Sequence, residues 1–351
     1  MALYPKLRKK PTLFFATTGM SLHRFEALLP EFERVWAERE AQRKARVVKT
    51  GAERKRASGG GAQFSTEVAE RLLMLLVYYR VYVTQEFLTL LFDVEDKATI
   101  SRAIAQMRPV LEAVLPVPER ARATALSLAE QETERRGERA GHPRGRRIGN
   151  VADFVREYPE LSILIDGTEQ PKQRPQDKQK RKDHYSGKKK RHTLKQILTT
   201  TPGGLILDQS RAVGGRCHDF RAFKEHVAEG APGAALVASF ERLRVVCTTD
   251  SGFTGIEKLS LPCTTRVVAR ARRNHPLSPE QEVLNRVRSR ERIRVEHAIG
   301  HRKRYRVASE VYRNRDGDYD GAMDVVAGLV NLRVYDRIEE QTGLDLLALT
   351  V

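Results

Sequence analysis

The chain has 351 residues, 40% of them hydrophobic, enough for two domains with real cores and too apolar for wholesale disorder. Its 63 Lys and Arg against 45 Asp and Glu leave a formal net charge of +18, which calls for a polyanionic partner, nucleic acid first. No apolar run reaches the length of a membrane-spanning helix, and the basic stretch from Met1 to Lys10 lacks an apolar region, so neither a membrane anchor nor a signal peptide is expected.

In chain order, the apolar residues Phe25, Leu28, Leu29, Phe32, Val35 and Trp36 recur at helical spacing behind Ser21, predicting one helix over 20–45. The basic, glycine-rich stretch Arg43–Gly61 reads either as a solvated linker or as an arm for a nucleic-acid backbone. Three helices follow at Glu67–Tyr79, Thr84–Phe92 and Lys97–Leu111, the last entered through a tight turn at 93–96. That is the outline of a helix-turn-helix over 64–113. Its third helix would expose Lys97, Thr99, Ser101 and Arg102, side chains able to reach bases and phosphates, although an ordinary three-helix packing unit has the same periodicity. Residues 114–150 are polar and rich in Arg and Glu, and read as a linker.

From 151 to 340 the pattern turns mixed. Leu161–Asp166 reads as a short buried strand. His192–Thr200 and Leu205–Val213 read as a hairpin about the turn Thr201-Pro-Gly-Gly204. A helix at Phe220–Val227, strands at Val245–Thr249 and Arg266–Ala269, a helix from Ser278-Pro279 to about Arg304 and an apolar helix at Met323–Ile338 complete an α/β layer fold. The cysteines, Cys217, Cys247 and Cys263, are odd in number and widely spaced, which argues for thiols in a reducing compartment rather than a disulfide framework or zinc site.

Three carboxylates stand out. Asp166 and Asp250 each end an apolar run, where a sheet would hold an acid rigidly beside an open crevice, and glycine follows each closely (Gly167, Gly252). Glu296 lies on a helix stripe with Arg292 and Lys303, at positions i, i+4 and i+11. Residues 286–306 hold nine Lys and Arg against two Glu, too lopsided for self-pairing along a solvated helix. Three acids of this kind form an all-oxygen set suited to Mg²⁺, with Mn²⁺ as a substitute. Two ions about 3.5–4 Å apart could activate water and stabilise the leaving oxygen of a phosphodiester. A second basic stretch, Lys172–Lys195, carries eleven Lys and Arg, and its segment Lys188, Lys189, Lys190, Arg191, His192 and Lys195 is expected to meet a nucleic-acid backbone. His218-Asp219 reads either as a helix cap or as an accessory to the site.

The stretches LIDGTEQP (164–171), YSGKKKRHTLK (185–195), GGRCHDF (214–220), TDSGFTG (249–255) and RIRVEHAIGHRK (292–303) together resemble the DDE transposases of bacterial insertion sequences, of the IS-five type. The resemblance covers about 160–335, and residues 20–113 are similar, less distinctively, to the helix-turn-helix region such enzymes carry. It implies a ribonuclease-H-like α/β catalytic domain behind an all-α helix-turn-helix domain. Asp166, Asp250 and Glu296 match the catalytic and metal-binding triad, and Arg292 and Lys303 match two DNA-holding positions of its C-terminal signature. That signature's tyrosine falls on Ser289, so no tyrosine contact to DNA is carried over. The resemblance further implies a bacterial, cytoplasmic, nucleoid-associated protein. It would act on double-stranded inverted-repeat ends and target DNA, cutting and then joining a 3′-OH, as at least a homodimer. Two other readings stay open from the residues: a metal-dependent endonuclease without strand transfer, and a catalytically silent DNA-binding protein.

Overall fold

A computed structural model describes residues 2–49, 67–137, 160–241, 244–271 and 276–348. The chain divides into two compact units, one of Met1–Leu115 with Tyr305–Val307, the other of Pro116–Arg304 with Ala308–Val351.

The first unit is helical. Its helices are α1 (Tyr4–Arg8), α2 (Pro11–Thr18), α3 (Leu22–Lys49), α4 (Val68–Val81), α5 (Gln85–Phe92) and α6 (Lys97–Val114). Ser21 caps α3 through a 3.1 Å bond from Arg24 N–H, as its position before the apolar repeat predicts. The helix overruns the expected end and takes in the start of the basic stretch, because 43–49 contains strong helix formers and no glycine. The rest of that stretch, 50–61, lies outside the described residues. The short helices α1 and α2 were not legible in apolar spacing, although Pro11 at the first turn and the left-handed Gly19 (φ 76°) bracket α2. Thr84 caps α5 by accepting from Phe87 N–H, and Asp96 caps α6 by accepting from Ala98 N–H. Between them Asp93 takes a left-handed conformation (φ 55°) and turns the chain. Ile100, Ala103, Met107, Val110 and Leu111 bury one face of α6.

The second unit begins with a correction. The polar segment 114–150 is not all connection: Pro118–Gly137 forms α7, which packs on the sheet through buried Ala121 and Ala125. Periodic small residues among charges hid that face. The remaining elements are β1 (Glu160–Pro171), α8 (Lys178–His184), β2 (Tyr185–Ser186), β3 (Arg191–Thr200), β4 (Ile206–Gln209), β5 (Val213–Gly214), α9 (Asp219–His226), α10 (Ala234–Phe240), β6 (Arg244–Thr249), β7 (Thr264–Val267), α11 (Pro279–Lys303) and α12 (Tyr319–Thr342). β3 runs antiparallel to β1, and its outer edge is covered in turn by β2, β5 and β4. β6 joins β1 on the other side in parallel, and β7 joins β6 in parallel. The order β4-β3-β1-β6-β7, three antiparallel strands and then two parallel additions, is the expected ribonuclease-H-like α/β arrangement.

Two strand expectations shift. The second hairpin strand splits into β4 and β5, because Ser210 turns inward, where its N–H bonds Ile197 O and its hydroxyl accepts from Ile197 N–H. β7 starts two residues before the expected strand. α11 opens with a capping box: Ser278 Oγ accepts from Gln281 N–H while Gln281 Oε1 accepts from Ser278 N–H.

β1 sorts the unit into two faces. Ile163 and Ile165 enter the main core with Ile197, Phe223, Cys247, Phe253 and Tyr335. The alternating residues Leu164 and Asp166 face the other way, where α11 crosses β1 and β6.

Candidate active site

Asp166 is not at the end of its strand, as apolar patterning implied. Antiparallel pairing with β3 carries β1 on to Pro171. The crevice arises instead from β6, whose last parallel pair is Ile165 with Thr249. Asp166 and Asp250 therefore stand side by side one step beyond that pair. Asp250 Oδ1 accepts from Gly252 N–H at 2.8 Å, which fixes the turn leaving β6. Asp166 Oδ1 accepts from Gly167 N–H at 2.8 Å, and its Oδ2 accepts from Arg292 Nη2 at 3.3 Å.

Arg292 joins the third acid to this pair. Its Nη2 lies 3.8 Å from Glu296 Oε1, one helical turn along α11. Val295 and Ala298 anchor this half of α11 against the sheet. The Glu296 side chain is 59% exposed, whereas those of Asp166 and Arg292 are only 16% and 18% exposed. Burial raises the Asp166 carboxyl pKa, with adjacent Asp250 adding to the rise; the Arg292 guanidinium and the Gly167 N–H oppose it. Lys303 stands near enough to feel Asp166 and Glu169. Partial removal from water, then Lys189 and Arg302, lower its ammonium pKa, and the two acids act the other way.

Among the described residues no three His, Cys, Asp or Glu side chains converge at metal-binding distance. Arg292 provides the physical reason, since its guanidinium stands between Asp166 and Glu296 where a cation is attracted. The donor chemistry still fits a divalent ion: all-oxygen ligands, two of them adjacent and the third on an exposed side chain. A cavity of 890 Å³ opens beside Asp250, lined among others by Ser251, Gly252, His218, Phe220 and Arg270.

The expected DNA-binding residues divide. Lys188, Lys189 and Lys190 are exposed on the turn from β2 to β3, Arg191 is exposed at the start of β3, and His192 after it is half-buried. Lys195 is corrected: it is buried, and its ammonium bonds Cys217 O at 2.6 Å and Asp219 Oδ1 at 2.6 Å, with Glu169 Oε1 at 3.6 Å. Strand alternation puts it on the inner face with Thr193 and Ile197, leaving no charge for DNA. The same cluster settles Asp219. It does not cap α9, and it lies over Gly167 on the face of β1 opposite Asp166, where an added Cβ would come within 2.9 Å of Asp219 Cγ. The sequence signal for this cluster is a lone lysine at an inward position of an apolar strand.

On the first unit, Lys97, Ser101 and Arg102 are exposed and Thr99 is half-buried. Lys97 is paired with Glu86 at 2.5 Å, and Arg102 bends back to Ala98 O and Thr99 Oγ1. The first half of α11 reaches the edge of the sheet through polar bonds, Asn285 Nδ2 to Ala269 O at 2.9 Å and Arg288 Nη1 to Val267 O at 2.6 Å, while Leu284 and Val287 on the same stretch are each 50% exposed.

Residues 165–331 match the family described as DDE superfamily endonuclease, and residues 67–116 match the helix-turn-helix of DDE superfamily endonuclease. A probable transposase for insertion sequence element IS702 from Microchaete diplosiphon is 32% identical over 170 residues. The shared stretch spans 48% of this chain and 56% of that relative, so the chain covers little more than half the relative's length. No solved structure matches the chain. No helix among the described residues is long and apolar enough to cross a membrane.

Proposed function

For a chain that carries a DDE superfamily endonuclease domain behind that superfamily's helix-turn-helix, we propose the function of a DNA transposase of the IS-five type. It binds the ends of its own insertion sequence, cleaves them by two-metal phosphodiester hydrolysis and transfers the freed 3′-OH to target DNA. The observation that carries this reading is the pairing of Asp166 with Asp250 at the edge of β6, joined through Arg292 to Glu296. Residues 1–113 are proposed as the end-recognition region and 151–340 as the catalytic domain, acting as a homodimer or larger assembly.

In this reading Asp166, Asp250 and Glu296 hold Mg²⁺, or Mn²⁺ in its place. Ions bound there activate the attacking oxygen and stabilise the leaving one. The chain's own residues do the rest. Arg292 turns from Asp166 toward a phosphate oxygen, which releases the carboxylate. Lys303, with Lys189 beside it, neutralises the strand next to the acids. Lys188, Lys190 and Arg191 track the backbone, and the cavity beside Asp250 takes the strand being cut. The exposed end of α6 reads the terminal sequence in the major groove.

Mn²⁺ binding followed by calorimetry, beside end cleavage in Mg²⁺, tests the assignment. Asp166→Asn, Asp250→Asn and Glu296→Gln are each expected to lose both. Retention of cutting and joining in these variants would remove the triad. One observation favours the second reading, a silent DNA-binding protein: Arg292 already answers the Asp166 charge. DNA binding without metal uptake or nicking would select that reading.

A further inference from the structure

The basic stretch after β1 folds into more than a charged loop. α8, β2 and the start of β3 border an open cavity of 740 Å³ whose lining includes Arg174, Lys178, Arg181, Lys182, Tyr185 and Arg216 and contains no acid. That volume suits a small ligand rather than a duplex. Among the described residues none of these five cations has a carboxylate partner: Arg181 is held by the carbonyls of Pro175 and Gln176, which fix it without cancelling its charge. The Tyr185 ring is 43% exposed and is braced edge-on by His192, its cross-strand partner, at 5.7 Å between centroids.

Behind Arg216, two glycines that the catalytic reading does not use set the backbone close against α8. A Cβ on Gly214 would lie 2.3 Å from Asp183 O, and one on Gly215 would lie 1.8 Å from Thr193 Oγ1. Only glycine lets this segment press against the end of α8, and the contact is sealed by Arg216 N–H on Asp183 O at 3.1 Å. The backbone of Arg216 is thereby fixed where its side chain lines the cavity together with Tyr185. An exposed ring on a braced platform, ringed by uncancelled cations, is the combination that takes a base by stacking and its phosphates by charge.

We propose that this cavity receives a nucleotide splayed out of the DNA duplex, its base stacked on Tyr185 and its flanking phosphates held by Arg174, Lys182 and Arg216. This rests on the DNA-processing reading above and adds to it a site for unpaired DNA, separate from the carboxylates. Lys189, on the hairpin turn that follows Tyr185, is near enough for its charge to lower the Lys303 ammonium pKa.

The test compares full-length protein on two labelled probes, a fully paired duplex and the same duplex frayed into a short unpaired tail carrying 2-aminopurine. The wild type is expected to bind the frayed probe about tenfold more tightly and to quench the tail. Tyr185→Phe keeps both effects. Tyr185→Ala loses the preference and the quenching but still binds the paired duplex. Equal binding of both probes by the wild type, or a preference that survives in Tyr185→Ala, overturns the pocket and leaves the DNA reading intact. Failure of the wild type to bind either probe overturns both.

Discussion

Replacing Lys195 with methionine removes an ammonium that lies 2.6 Å from Asp219 Oδ1 and 3.6 Å from Glu169 Oε1 and bonds Cys217 O at 2.6 Å. Methionine fills much of the same volume, so the main effect is electrostatic: two inward carboxylates lose their counter-ion. Breaking a buried pair from one side costs about 3–5 kcal/mol. The Asp219 side chain is 28% exposed, which lets water answer part of its charge and points to the lower end, about 3 kcal/mol. For a unit of this size that corresponds to a fall in melting temperature of about 6–12 °C. Trp36 is the single tryptophan and lies in the helical unit, so its fluorescence reports that unit; circular dichroism must follow the sheet. Asp219→Asn added to Lys195→Met should return part of the loss, a coupling of about 1–3 kcal/mol. The salt dependence of DNA binding should keep its slope. A variant of native stability whose log–log salt slope fell by about 0.9 would show that Lys195 contacts phosphate and would refute the buried assignment.

Four further outcomes follow from the geometry. Gly214→Ala drives a Cβ to 2.3 Å from a backbone carbonyl oxygen, and the sheet unit should lose about 3 kcal/mol in urea denaturation, at the upper end of overpacking. Lys189→Gln and Lys190→Gln should leave stability within about 0.5 kcal/mol and lower the salt slope of DNA binding by about 0.9 each. Burial, then Arg174, Arg181, His184 and Lys172, hold the His192 pKa below its ordinary 6.5. The unfolded chain therefore binds the proton more readily, so this contribution to stability is complete above 6.5 and is lost as pH falls through the folded value; His192→Gln should flatten that part of the profile. Asp250→Asn should cut end cleavage about 10³-fold with DNA affinity unchanged, as measured by gel shift beside cleavage.

Much of this was legible because local chemistry and tertiary need agreed. Ser278, Pro279 and Gln281 spell the start of α11, and Thr84 and Asp96 spell the caps on either side of the helix-turn-helix turn. Asp166 stood out in the sequence as the end of an apolar run, and the structure revises that reason. Asp166 borders a crevice because β6 ends beside it; β1 itself runs on, and strand pairing is set by a partner remote in sequence. α7 was hidden because its contact is made by the small Ala121 and Ala125 and by Leu126 and Leu128, which are only partly buried, all set among charges. Lys195 misled because composition counts a lysine as exposed, whereas alternation along β3 turns it inward. Leu284 and Val287 recur at helical spacing with Val295 and are nonetheless half exposed, since periodicity marks an apolar face without saying what lies against it.

Strand transfer is read most directly from the fate of an end-containing duplex, labelled at the 5′ terminus of the strand to be transferred and incubated with the protein, Mg²⁺ and an unlabelled target plasmid. The wild type is expected to give nicked ends and label joined to the plasmid, and Asp166→Asn, Asp250→Asn and Glu296→Gln neither product. Joined product from any of the three variants would contradict the triad assignment.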